Sequence, residues 1–129
     1  MAHWIFVEEG DYWAESAYLI TPGRTAMALE EVVVQVYLDG NNERRVKGQG
    51  MGFNLELVEL LEDHDEIDML LDLGGDFKYL LKTPTLRAGK LFAPDVKAKI
   101  QYIANGPLEK LSQEEFGDIH HSLKFVGKP

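Results

Sequence analysis

The chain has 129 residues, 22 acids against 13 bases, 45% apolar side chains and no cysteine. That length suits one globular domain, 1–129, burying roughly two thirds of its unfolded surface, and the lack of thiols excludes disulfides, thiolate metal sites and cysteine nucleophiles. A formal charge of -9 argues against direct contact with nucleic acid or anionic lipid.

The first residues, MAHWIFVEEGDYW, have no basic region, and Glu8 and Glu9 break their apolar run, so they do not read as a signal peptide. No apolar run approaches the ~20 residues of a membrane span. A cytoplasmic location is expected.

Residues 3–8 (HWIFVE) are aromatic and β-branched and read as a strand closed by Gly10-Asp11. In 12–20, Tyr12, Ala14, Ser16, Tyr18 and Ile20 would line one strand face, with a short helix as the alternative. Thr21-Pro22-Gly23 is a turn. Residues 24–31 (RTAMALEE) have helical composition, whereas 32–38 (VVVQVYL) are a strand, its three valines suggesting that both faces are covered. Asp39-Gly40-Asn41-Asn42 is a hairpin loop. The returning strand carries Arg44, Arg45 and Lys47, then Gly48, Gly50 and Gly52 at every second position. Three glycines on one face imply a bulge, a bend or close approach by another backbone; an anion loop is the weaker reading, since the spacing is not G-x-G-x-x-G.

The stretch from Asn54 to Asp76 holds nine acids and no lysine or arginine, so the rest of the chain is neutral by count. Leu57, Leu60, Leu61, His64, Ile67 and Leu71 recur at helical spacing, and Gly74-Gly75 would end that helix. The firmer part of it is 63–73; residues 55–62 either begin it or prolong the preceding strand. Farther on, 76–82 (DFKYLLK) reads as a strand broken at Thr83-Pro84-Thr85, and 86–94 as a loop. Residues 96–103 favour a strand by alternation, with a helix capped by Asp95 as the alternative. Asn105-Gly106-Pro107 is a turn. Ser112 and Glu115 form a capping box for a final helix with Phe116, Ile119, His120 and Leu123 on one face, and 127–129 is expected to fray.

Like charges at Glu59/Asp63, Glu62/Glu66 and Asp68/Asp72 carry a small helical cost with no interspersed base. They are either a solvated face partly neutralised by Arg44, Arg45, Lys47 or Lys78, or a docking face for a basic partner. A calcium loop starting at Asp63 fails where Ile67, Asp68 and Gly74 stand. His64 with Asp68 and a histidine at 120 or 121 is a weaker metal reading than a hydrogen-bonded core histidine. Asp118, His120, His121 and Ser122 name a triad, but on one short helix they fan apart. Neither metal nor cofactor is expected.

The expected fold is α+β: a mainly antiparallel sheet of about five strands with an acidic helix (about 55–73) and a C-terminal helix (about 113–124) packed on one side. The expected function is that of a non-enzymatic interaction protein of inhibitor, immunity or accessory type. Glu59, Glu62, Asp63, Asp65, Glu66, Asp68 and Asp72 would meet a basic protein surface. One alternative is a small-ligand or enzyme pocket lined by Trp4, Trp13, Tyr18, His64 and His120. Another is an oligomer, such as a homodimer, built through an edge strand or the N-terminal aromatics.

Overall fold

The computed structural model of the chain describes residues 8–63, 66–88 and 97–126, with backbone alone at 54, 55, 62 and 63. Its backbone turns on one long strand, β3 (Thr25–Leu38), flanked in the chain by β1 (Gly10–Trp13), β2 (Ser16–Ile20) and β4 (Arg44–Phe53). After α1 (Asn54–Asp63) come β5 (Asp68–Asp72), β6 (Lys78–Leu81), β7 (Thr85–Ala88) and β8 (Lys97–Ile103). The described chain ends with β9 (Glu109–Leu111), α2 (Gln113–His121) and β10 (Lys124–Phe125).

These strands form one bent sheet in the order β7-β8-β4-β3-β2-β5-β6-β9, with β1 and β10 also on β3. All pairs are antiparallel except β10 with β3. We call the half made of β1, β3, β4, β8 and β7 sheet I, and the half made of β10, β3, β2, β5, β6 and β9 sheet II. Strand β3 belongs to both because it bulges. Glu30 pairs with Met51 and Val33 with Gln49, so two β3 residues oppose Gly50 alone, and Glu31 takes a left-handed φ of 51°. The extra residue shifts the side-chain alternation by one. Met27 and Leu29 point into the core before it, and Val32, Val34 and Val36 after it.

One core lies between the two halves. Val34, Val46, Ile100 and Tyr102 of sheet I share an apolar cluster with Leu19, Met69, Tyr79 and Leu81 of sheet II. Leu57 and Leu60 of α1, which packs on β3 and β4, are also in it. Gly48 allows the closest approach. A side chain there would collide with the Val33 carbonyl and the Tyr102 ring, and the Tyr102 hydroxyl donates to that carbonyl at 2.8 Å. This is the close-approach reading of the glycine face. The opposite face of sheet II carries a second cluster, in which Ile20, Ala26, Leu70 and Leu111 are covered by Phe116, Ile119 and Leu123 from α2 and its end. The capping box is formed: Ser112 Oγ accepts from the Glu115 amide at 3.0 Å, and the Glu115 carboxylate accepts from the Ser112 amide at 2.8 Å.

The five-strand α+β expectation is overturned. Among the described residues there are ten strands and two short helices, and the helices do not share a side. Residues 24–31, helical by composition, begin β3, because burial of Ala26, Met27 and Leu29 in strand pairing with β2 outweighs helix propensity. The helix expected over 63–73 is strand from Asp68 to Asp72. Met69, Leu70 and Leu71 are all buried because β5 has the core on one face and α2 on the other. A short run buried on both faces loses the period-two signal. Helix is found instead at 54–63, where the strand alternative was still open. The valine run misled in the opposite direction: Val33 is half-buried and faces outward. The 97–103 strand, the turns at 22–23 and 105–106 and the hairpin loop at 39–42 formed as read; Asp39 Oδ1 closes that loop by accepting from the amides of Asn41 and Glu43. Residues 86–88, read as the start of a loop, are strand in β7; residues 3–7 of the first strand reading, 89–94 of that loop and the 127–129 tail fall outside the described residues.

Candidate functional site

The acid-rich stretch is divided among three settings. Glu59 stands exposed on α1, Glu62 and Asp63 occupy its last turn, Asp65 lies outside the described residues, and Glu66 is exposed in the connector to β5. Asp68 and Asp72 end β5 and are engaged by the fold. Asp68 accepts from the Thr83 amide at 2.8 Å and faces Lys82 at 4.0 Å. Asp72 pairs with Lys78, its cross-strand neighbour, at 2.7 Å and accepts from the Gly74 amide at 2.8 Å. These two carboxylates hold turns and a half-buried ion pair. Glu59 and Glu66 make no ion pair among the described residues.

The residues expected to share a pocket do not come together. Trp4 and His64 lie outside the described residues. Trp13 is 68% exposed on sheet I, while Tyr18 lies under α2 on the outer face of sheet II. There the His120 Nε2 is 3.2 Å from the Tyr18 hydroxyl, and its ring stacks on Phe116 and meets Phe125 edge-on. His120 thus fastens α2 to the sheet. Ser122 Oγ donates to the Ile119 carbonyl at 2.6 Å, closing the helix.

The face that charge counting missed is the outer side of sheet I. Val34, Val36 and Val46 point inward, so their neighbours point out. Register then aligns the outward residues in rows. One row runs Trp13, Val33, Gln49, Gln101, Arg87; the next runs Asp11, Gln35, Lys47, Ile103, Thr85. Beyond them stand Arg45, Lys97, Lys99 and Phe53. The face therefore carries five bases and two acids, Asp11 and Glu30, in a protein of net charge -9. Trp13, Phe53 and Ile103, three of the large apolar side chains most open to solvent, are on it. No helix covers it among the described residues, in contrast to sheet II.

Some of these cations are already engaged. Arg45 pairs with Asp39 at 2.9 Å and Glu43 at 3.6 Å; its guanidinium, with the Glu43 and Asn41 amides, holds the Asp39 carboxyl below the usual carboxylate value. Lys97 pairs with Glu30 and lies over the Phe53 ring at 5.3 Å, and Lys47 lies over Tyr37 at 4.9 Å. Arg87 and Lys99 make no ion pair among the described residues. Between the rows lies a depression of about 230 Å³, lined in part by Lys47, Gln49, Thr85, Arg87 and Gln101. Two cations, two amides and a hydroxyl can donate to a carboxylate held there, with the arginine fork able to bind it bidentately.

No known protein family, curated protein or solved structure matches the chain. The surface was nevertheless written into two segments: Arg45-x-Lys47-x-Gln49 and Lys97-x-Lys99-x-Gln101 each put cations and amides on alternate positions of a strand. What local pattern does not supply is the register that sets these strands side by side.

Proposed function

We propose that the protein is a non-enzymatic interaction protein that docks an acidic protein surface on the outer face of sheet I. The observation that carries this is the bare five-strand face with five bases, two acids and exposed Trp13, Phe53 and Ile103. Tryptophan, tyrosine, methionine and arginine are residues that protein interfaces favour, and Trp13, Tyr37, Met51 and Arg87 all stand on it. The net negative charge does not forbid an anionic partner. Charges farther away than about 8 Å are largely screened at physiological salt, and the β5 acids lie in sheet II, with the core between.

A second reading keeps the original polarity, with the acids of α1 and its connector meeting a basic partner. Its support is the exposure of Glu59 and Glu66 without an ion pair among the described residues. Fluorescence anisotropy with labelled poly-glutamate and poly-lysine peptides separates the two. The sheet reading expects poly-glutamate to bind, at least tenfold more weakly in an R87E/K99E variant and weakly at high salt. Binding of poly-lysine alone, lost in E59K/E66K, would move the function to α1. Binding of neither would remove both.

A further inference from the structure

We infer that the acidic partner of sheet I is anchored by a carboxy-terminal acidic residue, whose side-chain and terminal carboxylates occupy the depression between Lys47 and Arg87. The inference rests on the docking role proposed for sheet I and names the chemical group that it takes.

Three observations lead to it. The first is the balance of charge. Lys47 and Arg87 line the depression and no acid does, although the chain as a whole carries -9. Asp11 and Glu30, the acids of the face, stand outside it. Lys47 rests on the Tyr37 ring, and neither cation makes an ion pair among the described residues. Matching both takes two anionic groups. The second observation is spacing. Lys47 on β4 and Arg87 on β7 are two strands and one alternate position apart, roughly 12 Å between backbones from a strand spacing of ~4.8 Å and an alternate-residue step of ~6.8 Å. Both side chains are long enough to lean over Gln101 and Ile103 between them, which leaves the width of one residue.

The third observation is size. The depression, about 230 Å³, has room for roughly eight waters at ~30 Å³ each, and it falls short of the ~300 Å³ at which pockets for cofactors and drug-sized ligands begin. One acidic residue fills it. An internal glutamate brings a single carboxylate, whereas a carboxy-terminal one brings two on the same residue, and its chain leaves on one side only. The rest of the lining suits a peptide end. The side chains of Gln35, Gln49 and Gln101 make no hydrogen bond among the described residues. Each offers N–H donors to a carboxylate and a carbonyl that can accept the terminal residue's own amide. Ile103, exposed between Lys47 and Thr85, meets its methylene groups. Capture of a terminal carboxylate is a recurring mode of peptide recognition.

The test is fluorescence anisotropy of the full chain at low salt with two labelled peptides of equal charge. One ends in a glutamate with a free carboxy terminus; the other is amidated and carries a second, internal glutamate. The free-ended peptide should bind about tenfold or more tightly, the scale of one charge-assisted hydrogen bond. That preference should be lost in Lys47→Gln and in Arg87→Gln. It should persist in Lys99→Gln, a change on the face but outside the depression, which should weaken both peptides alike. All three side chains are exposed, and circular dichroism checks that each variant folds. Equal binding of the two peptides, or a preference unchanged in Lys47→Gln and Arg87→Gln, would overturn the anchor. So would displacement of the free-ended peptide by an equal concentration of glutarate, since a dicarboxylate without a chain would then be the occupant. Binding of poly-glutamate with no terminal preference would overturn the anchor and leave the docking role of sheet I standing; binding of none of these ligands would remove both.

Discussion

Single side chains in this fold show where it is strained and where it is anchored. Tyr79 is fully buried between the halves, its hydroxyl has no hydrogen-bond partner among the described residues, and burial pushes its pKa up to about 12. A buried unpaired hydroxyl costs about 1–3 kcal/mol, partly offset by the packing of its oxygen. Tyr79→Phe should therefore raise stability by about 1 kcal/mol, read as a higher denaturant midpoint at unchanged slope; a drop would mean that the hydroxyl has a partner. Tyr102 is the contrasting case. It is equally buried, but its hydroxyl is satisfied by the Val33 carbonyl across the space that Gly48 leaves open. Lys78 shows a third outcome, a nearly buried cation held by Asp72 and the Gly75 carbonyl at 2.7 and 2.8 Å.

At the scale of elements, α2 gives the cleanest pH handle. Its capping box holds the Glu115 carboxyl below the ordinary 4.5, chiefly through the Ser112 amide. A carboxyl whose folded pKa is depressed adds stability in full above its unfolded pKa and loses it as pH falls through the folded value. The melting-temperature advantage of the parent over Glu115→Gln should be complete at pH 6 and shrink below pH 4.5; an advantage equal at pH 6 and pH 3 would contradict the cap. That box was legible from Ser112 and Glu115 because capping is local, as were the Asp39 hairpin loop and the alternation of 97–103. The failures were not local. The β3 bulge shifts alternation at Glu31, which no propensity at 24–31 reveals, and β5 looked helical because α2 buries the face that would have alternated. The candidate surface was half legible: alternate cations in β4 and β8 show a face, but only register brings Arg87 and Trp13 to it.

Across the whole molecule, charge and cover are distributed unequally. Sheet II spends its outer face on α2, its acids Asp68 and Asp72 on its own lysines and turns, and Tyr18 on His120. Sheet I spends little of its outer face, leaving Arg87 and Lys99 without ion pairs among the described residues beside exposed Trp13 and Ile103. Shape and charge of the surface, rather than net charge of the chain, set what it binds. The most direct test is an NMR titration of the isotopically labelled protein with poly-glutamate. Amide shifts should concentrate at Lys47, Gln49, Arg87, Lys99 and Gln101; shifts confined to α1, or none up to millimolar peptide, would contradict the account.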